Sequence, residues 1–280
     1  MPSREQTIAD ATQIFENAYY PSGLTSGTAW LGIYQTLLWY EPVNLLGFSS
    51  LPHIIDADKL RPASATRKPT WIAARPWQKR AQLFAGYLAQ ELRCSPDDLP
   101  TKVDLLMQHP SYLGMQRQNT LGIAFAGVIK HVLERFGPQQ VSLKAEVEAS
   151  HIFPGVTVPG RSVTPRIDLL ARLNEIPRAI VSTKWSVRHD RLSDITNECP
   201  VYKAAYERIY RQHKRGHRLL FYVLTNEFDP ARLNKMLDDS CVDAVIHVRK
   251  EAVINICGLN GRLTRLMDLA EFIQTAFSWV

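Results

Sequence analysis

The chain has 280 residues, 45% of them hydrophobic and 21% charged, and its 33 lysines and arginines exceed its 27 aspartates and glutamates. This composition excludes extensive disorder and predicts a folded chain with an apolar core, and the positive balance is compatible with an anionic partner. No apolar run approaches the roughly 18–20 residues of a membrane span, and the first ten residues lack the apolar segment of a secretory signal, so we expect a cytoplasmic protein.

The N-terminal part, up to about residue 110, has the pattern of helices separated by loops that contain proline and glycine. We expect a polar-faced helix over 4–20 and a buried helix over 29–40. Residues 76–93 begin with a proline and place apolar side chains three and four positions apart, which predicts an amphipathic helix. We therefore predict a mainly helical N-terminal domain over 1–110.

From residue 111 onward, helix-like and strand-like segments alternate. The predicted order is a helix at 117–136, strands at 141–149, 166–173 and 178–186, a polar helix at 186–213, a strand at 217–227, a helix at 229–239, a strand at 243–250 and a helix at 262–277. This alternation predicts an α/β domain over 111–280 with a mixed central β-sheet flanked by helices.

The cysteines are far apart and form no CxxC pair; they are Cys94, Cys199, Cys241 and Cys257. Their spacing indicates neither a zinc knuckle nor a dense disulfide framework. We expect all of them to be reduced thiols.

Charged residues interrupt two of the predicted strands. Asp168 lies inside the apolar segment RIDLLARL, and Lys184 ends the segment IVSTK. Burying such groups is unfavourable unless they pair with each other or bind something charged. One interpretation is an Asp–Lys ion pair across two strands. The other is a nuclease site, because carboxylates can hold Mg²⁺ and a lysine can stabilise charge on a phosphodiester or on a water molecule.

Further charged residues follow Lys184 in the predicted polar helix. Arg188, Asp190 and Arg191 come first, and Glu198 lies about two turns later. Arginine donates bidentately to guanine O6 and N7, and an acidic side chain can accept from cytosine N4. The segment therefore has the chemistry to read G·C pairs in a major groove. A basic helix face exposed to solvent is the alternative.

Together these residues resemble the active-site segment of type II restriction endonucleases of the PD-(D/E)xK superfamily, particularly the branch that recognises sites containing CCGG. The matching parts are Asp168 on one strand, Ser182-Thr183-Lys184 on the next, Arg188-His189-Asp190-Arg191 after it, and Glu198 fourteen residues past the lysine. The match covers residues 166–198. A weaker similarity extends through FYVLTNEFDP and VDAVIHVRK.

The sequence departs from the family pattern at two positions. Ile167 precedes Asp168 and the nearest proline is Pro165, so the Pro-Asp dipeptide is absent. The segment GIAFAGVIKHVLE resembles the family's Gly-x-x-Phe-Glu helix but carries Ala126 where an auxiliary glutamate is expected. Either this carboxylate is missing or another residue supplies it, for which Glu134, Glu146 and Glu148 are candidates.

The resemblance implies a restriction-endonuclease-like core in which Asp168 and Glu198 bind Mg²⁺ and Lys184 positions and activates the attacking water. Ser182 occupies the position of a carboxylate that Glu198 replaces. Arg188 and Arg191 would read guanines and Asp190 neighbouring cytosines, in a palindrome with a CCGG or closely related core. Cleavage would leave 5′-phosphate and 3′-hydroxyl ends. Two-fold symmetric DNA requires at least a homodimer, and pairing of dimers into tetramers is left open.

Two other functions remain open from the sequence. In a structure-specific or DNA-repair nuclease of the same fold, Arg188 and Arg191 would contact phosphates, although Asp190 between them would be repelled. A catalytically inactive, sequence-specific DNA-binding protein is favoured only by Ala126. A second basic run could contact phosphates or complement the dipole of a helix C-terminus; it comprises Lys203, Arg208, Arg211, Lys214, Arg215 and Arg218.

Overall fold

The structure is a computed structural model. It describes residues 3–17, 25–38, 120–160, 165–213 apart from 186 and 188, 217–257 apart from 228, 259 and 263–280, together with 89, 93–95 and 98. The helix predicted over 76–93 lies outside the described residues except for Ala89, which is helical and buried.

Three helices pack together on the N-terminal side of the fold. On the first of them Ala11 and Phe15, four positions apart, are fully buried. Gly127 allows a close approach between the first and third helices, because a Cβ atom there would lie 2.9 Å from Cγ2 of Ile8. The helices are α1 (Arg4–Asn17), α2 (Ala29–Leu38) and α3 (Thr120–Phe136).

The sheet has six strands whose spatial order equals their order in the sequence. The first three strands pair antiparallel, and the third to the sixth pair parallel. The predicted mixed α/β sheet is therefore confirmed. The strands are β1 (Ser142–Glu148), β2 (Arg166–Leu173), β3 (Ile176–Lys184), β4 (Leu220–Thr225), β5 (Ala244–His247) and β6 (Leu266–Met267).

Helices follow the strands and flank the sheet. They are α4 (Ala149–Ile152), α5 (His189–Ile209), α6 (Pro230–Asp238), α7 (Lys250–Cys257) and α8 (Leu269–Ala276). Helices α5, α6 and α7 provide the crossovers that parallel strands require. Helices α5 and α6 contact each other and the parallel strands, whereas α3 and α8 contact each other and the sheet. Among the described residues, none of these helices combines the length and apolarity needed to cross a membrane.

One continuous buried cluster includes apolar residues of α1, α2, α3 and the sheet. The described parts of the predicted N-terminal domain therefore pack directly on the predicted catalytic domain. Helix α7 and strand β6 were not predicted, because segments of eight and two residues are too short to show a clear periodicity.

The expectation of reduced thiols throughout is wrong for two cysteines. Cys199 in α5 and Cys241 in the turn between α6 and β5 form a disulfide, with their Cα atoms 6.0 Å apart. They are separated by 42 residues in the sequence, and only the packing of α5 beside α6 brings them together. Cys94 is free.

Candidate active site

Strands β2 and β3 bring Asp168, Ser182 and Lys184 together. The antiparallel register pairs Leu169 with Val181 and Leu170 with Ile180, so Asp168 faces Ser182 one step further along. Lys184 follows Ser182 by two residues and therefore lies on the same face of the strand. Asp168 and Lys184 are sixteen residues apart in the sequence, and the β2–β3 hairpin brings them together.

The carboxylate of Asp168 is held through a single oxygen. Oδ2 accepts hydrogen bonds from the Ser182 hydroxyl at 3.3 Å, from the Thr183 backbone N–H at 2.9 Å and from Lys184 Nζ. Among the described residues Oδ1 has no partner. The side chains of Asp168 and Lys184 are 18% and 14% exposed, so the ion pair is accessible from outside the fold.

Glu146 lies beside this pair on strand β1. The register joins Ala145 to Leu169 and Val147 to Ile167, which places Glu146 opposite Asp168. Burial raises the pKa of Glu146, and the negative charge of Asp168 raises it further, against the lowering effect of Arg4, Lys184 and Arg166. Glu146 therefore belongs to the electrostatic environment of Asp168 and Lys184.

Glu198 lies on α5 and is only 5% exposed. The neighbouring residue, Cys199, carries the disulfide that ties this part of the helix to the turn before β5. No group of three Asp, Glu, His or Cys side chains that could hold a metal ion occurs in the described part of the chain. Asp168 and Glu198 therefore remain predicted metal ligands. The described residues do not place them in a group of three possible ligands.

The predicted DNA-reading residues lie where β3 leads into α5. Arg188 is outside the described residues, and Asp190 and Arg191 are in the first turn of α5, although their side chains are not described. The chain before them is fixed, because the Val187 backbone N–H donates to Glu227 Oε2 at 2.8 Å. Helix α5 therefore starts close to the end of β3 that carries Lys184.

Sequence analysis did not single out Glu227, which is fully buried beyond the end of β4. Its Oε2 also accepts from Arg232 at 3.3 Å, and its Oε1 accepts from the Asp229 N–H at 2.9 Å. Nε2 of the buried His247 lies 2.9 Å from the Glu227 carbonyl, and its Nδ1 accepts from the Arg249 N–H, so Nε2 carries the proton and donates. The only signal in the sequence was an acidic residue ending an apolar strand.

Position 126, where the family pattern places an auxiliary glutamate, is inaccessible to solvent. Ala126 is fully buried in α3. Of the three candidate replacements, Glu134 accepts from Lys130 on the same helix, and Glu148 accepts from Arg166. For Glu146, the charge of Asp168 raises the pKa and the charge of Lys184 lowers it.

Part of the second basic run is engaged in contacts within the protein. Lys203 donates to Asp243 at 2.7 Å, and Arg218 forms an ion pair with the same carboxylate at 3.0 Å. Arg208 donates to the Pro154 carbonyl at 3.2 Å. Lys203 is thus a structural residue that ties α5 to the segment before β5.

No protein-family model matches the sequence, and no curated protein matches it significantly.

Proposed function

We propose that this protein is a Mg²⁺-dependent type II restriction endonuclease of the PD-(D/E)xK superfamily that makes double-strand cuts in DNA. Its site is a palindrome with a CCGG or closely related core. We propose that it acts in the cytoplasm as a homodimer or as a tetramer formed by two such dimers. The Cys199–Cys241 disulfide is the feature that favours an oxidising environment instead.

The observation that carries this proposal is the pairing of β2 with β3. The resemblance requires an aspartate on one strand and a Ser-x-Lys on the next, close enough to act together. Asp168 accepts hydrogen bonds from both Ser182 and Lys184 in the folded chain. An ion pair of purely structural use would also give this contact, but it would not need an exposed carboxylate oxygen.

The donor set fits a hard divalent cation. Asp168 Oδ1 has no partner among the described residues and is part of a partly exposed side chain. Mg²⁺ typically uses one or two carboxylates and completes its octahedron with water and substrate phosphate oxygens, so Asp168 and Glu198 need no third protein ligand. When bound, Mg²⁺ would polarise the phosphodiester and lower the pKa of a water molecule.

The residues of the chain have distinct tasks in the proposed reaction. Lys184 lies next to Asp168 and would direct its ammonium group toward the attacking water and the scissile phosphate. Ser182 and the Thr183 N–H hold Asp168 in place through Oδ2, which leaves Oδ1 for the cation. Asp168 thus has one oxygen for orientation and one for binding.

Recognition is assigned to the start of α5. Arg188 and Arg191 would donate to guanines and Asp190 would accept from a neighbouring cytosine. Because a palindrome presents the same bases to both halves of a two-fold dimer, one short segment per subunit is sufficient. The hydrogen bond from Val187 to Glu227 would keep this segment at a fixed distance from Lys184.

The decisive experiment is digestion of a plasmid of known sequence with the purified protein, with Mg²⁺ or with EDTA, followed by mapping of the ends. We expect discrete Mg²⁺-dependent fragments that end at one palindrome containing CCGG, and no cutting by Asp168→Asn. Unspecific degradation would favour a structure-specific or repair nuclease. Tight binding to such a palindrome without cutting would favour an inactive DNA-binding protein.

A further inference from the structure

A cluster of buried polar side chains lies at the opposite end of β3 from Lys184. Arg178 is near the beginning of this strand, six residues before Lys184, which corresponds to about 20 Å along an extended chain. Arg178 is the extra residue of a β-bulge, because the register skips it where it passes from Ala171 to Arg172 of β2. Bulges redirect side chains, and Arg172 is the neighbour of Arg178 across the hairpin.

The guanidinium group of Arg178 is buried. The residue is only 9% exposed, and within the described part of the chain neither Nε nor Nη1 contacts a hydrogen-bond acceptor. A guanidinium group stays charged in proteins, and a buried charge without a partner is strongly unfavourable. Arg178 therefore requires an anionic partner that the described residues do not supply.

Two tyrosines of α5 lie beside the two arginines. The rings of Tyr206 and Tyr210 stack with their centroids 5.3 Å apart. Burial raises the pKa of Tyr206, and the positive charge of Arg178 acts against this rise. Burial also raises the pKa of Tyr210, and here the opposing charge is that of Arg172. Each tyrosine is thus within the electrostatic range of one arginine.

Other donors of this cluster are also buried without an acceptor among the described residues. They are Nε of Arg172 and the hydroxyl group of Tyr206. Tyr210 differs, because its hydroxyl donates to the Ile152 carbonyl at 3.3 Å. Nη1 of Arg172 donates to Glu175, whose side chain is 77% exposed. The cluster therefore combines buried N–H and O–H donors with a carboxylate at its exposed edge.

We propose that this cluster binds one small oxyanion of the phosphate or sulfate type, which accepts hydrogen bonds from Arg178, Arg172 and Tyr206. Guanidinium groups form strong, charge-assisted hydrogen bonds to such ions. The ion neutralises the charge of Arg178 and joins the β2–β3 hairpin to α5. This site is separate from the candidate active site and does not depend on the proposed nuclease function.

The burial of the donors favours a free ion over a phosphate group of DNA. A duplex is too wide and too stiff to reach nitrogen atoms that are closed off from solvent. A small ion can enter when the exposed side chain of Glu175 moves away from Arg172. The ion then takes the place of the Glu175 carboxylate as the acceptor for this arginine.

The first test is titration of inorganic phosphate into the full-length protein by isothermal titration calorimetry, in a chloride buffer. We expect saturable binding of one ion per chain. Arg178→Met keeps an unbranched side chain but removes the charge, and it should weaken phosphate binding by about tenfold or more. Arg208→Met is the matched control, because it removes the same charge from an exposed arginine of α5 that donates to the Pro154 carbonyl. Its affinity should stay within about twofold of the wild type.

The unfolding temperature is the second readout, and it also shows whether the variants fold. Phosphate should raise the unfolding temperature of the wild type, increasingly so above its dissociation constant, and should raise that of Arg178→Met much less. Without phosphate, Arg178→Met should unfold at the same temperature as the wild type or higher, because the variant has lost an unpaired buried charge. A lower unfolding temperature without phosphate would mean that Arg178 already has a partner, and would overturn the proposal.

Two milder variants leave both arginines in place. Tyr206→Phe removes only a hydroxyl group and should weaken phosphate binding by about threefold to tenfold. Glu175→Gln removes the carboxylate that competes for Arg172, and it should bind phosphate more tightly than the wild type. Weaker binding by Glu175→Gln would contradict the exchange between this carboxylate and the ion.

A short DNA duplex distinguishes the free ion from the phosphate of a nucleic acid. An excess of the duplex should leave the affinity for inorganic phosphate unchanged. Displacement of phosphate by the duplex would mean that the cluster contacts the DNA backbone, and would overturn the assignment to a free ion. The site as a whole fails if the wild type shows no saturable phosphate binding, or if Arg178→Met and Arg208→Met lose affinity equally, whether or not the protein cuts DNA.

Discussion

Two groups of charged residues lie at the same end of the sheet, and they differ in how their oxygens are used. The register aligns Lys184 of β3 with Thr225 of β4 and His247 of β5. Beside Lys184, the Asp168 carboxylate is partly exposed and uses one oxygen within the described structure. Beside His247, the Glu227 carboxylate is fully buried and both of its oxygens accept hydrogen bonds.

This difference separates a binding group from a structural one. A carboxylate with all of its oxygens engaged in a closed environment stabilises the chain around it and has no capacity for a ligand. A carboxylate that is oriented through one oxygen and open at the other can bind a cation without breaking its orientation. The polar residues of the antiparallel half therefore suit the proposed catalytic role, and those of the parallel half support α5 and α6.

The largest effect is expected from Lys184→Ala. We expect DNA cleavage to fall by about 10²–10⁴-fold, because the variant loses the group that positions and activates water. Specific binding to the palindrome should remain, but the unfolding midpoint should fall, because the variant leaves the mostly buried Asp168 carboxylate without its ionic partner. Single-turnover cleavage and binding assays on the same duplex measure both. Cleavage at the wild-type rate would remove Lys184 from the mechanism.

Glu227→Ala should act on stability instead. It leaves the Val187 and Asp229 N–H groups and Arg232 without their acceptor, and the expected loss in free energy of unfolding is about 3 kcal/mol or more. Glu148→Ala, on a half-exposed carboxylate of β1, should cost no more than about 1 kcal/mol. Urea unfolding of both variants tests the contrast, and equal losses would contradict it.

Reduction of the Cys199–Cys241 disulfide should destabilise the parallel half. The bridged residues are 42 apart in the sequence, and loop entropy then gives about 4 kcal/mol as the expected loss in free energy of unfolding. The measurement compares unfolding midpoints with and without reductant. Cys94→Ser, which removes a thiol that is free in the structure, should show the same dependence on reductant as the wild type. An unfolding midpoint that is the same with and without reductant would show that the two cysteines do not form a disulfide in solution.

Arg188→Ala should weaken specific DNA binding by about 1–3 kcal/mol per subunit, because it removes a bidentate contact to guanine. The loss should be large on a duplex with the CCGG core and small on one with an altered core. Arg208→Ala is the control, because it removes the same positive charge from an arginine that donates to the Pro154 carbonyl. It should affect binding to both duplexes alike. Equal losses on both duplexes for Arg188→Ala would indicate a phosphate contact and favour a structure-specific nuclease.

The smallest effect concerns the helices beside the antiparallel half. Burial raises the pKa of Glu16, but hydrogen bonds from His131 and Arg135 lower it more, so its pKa lies below the ordinary 4.5. The ionised Glu16 carboxylate therefore stabilises the folded state above pH 4.5, and this stabilisation is lost as the pH falls through the lowered folded-state pKa. At pH 7, the free energy of unfolding of Glu16→Gln should therefore be lower than that of the wild type by about 1 kcal/mol or less. This difference should disappear at low pH.

Asp10→Asn is the control for this experiment, because Asp10 bonds only Gln6 on the same helix among the described residues. Its difference from the wild type should be smaller at pH 7 than that of Glu16→Gln. Unfolding temperatures recorded as a function of pH give the answer. A Glu16→Gln deficit that persists in acid would mean that the lost stability does not come from the charge of Glu16.

Much of the fold was readable because its signals are local. The segment RIDLLARL gave β2 to the residue, and RAIVSTKWS gave β3 to within two residues at each end, since apolar strands of this length are typical of a buried sheet. The charged interruptions at Asp168 and Lys184 were visible for the same reason. The two residues were predicted to act together, and the antiparallel register does bring them into contact.

Contacts between distant segments were not readable. The Cys199–Cys241 disulfide was missed because it depends on the packing of two helices. The choice among Glu134, Glu146 and Glu148 could not be made either, since it depends on the register of β1 with β2. Glu227 gave no signal beyond its position at the end of a strand. Its role depends on a hydrogen bond from the backbone N–H of Val187, which is 40 residues away in the sequence.

The sequence by itself determined which elements form and which charged residues interrupt apolar strands, because hydrophobic periodicity and the cost of burying charge act over a few residues. Only the tertiary structure decided which carboxylates are saturated and which are open. That property depends on hydrogen-bond donors from other strands and helices, as the three donors to Asp168 Oδ2 and the buried contacts of Glu227 show. It also decided that Glu146 of β1 lies opposite Asp168 of β2, because strand register is set by the packing of the whole sheet.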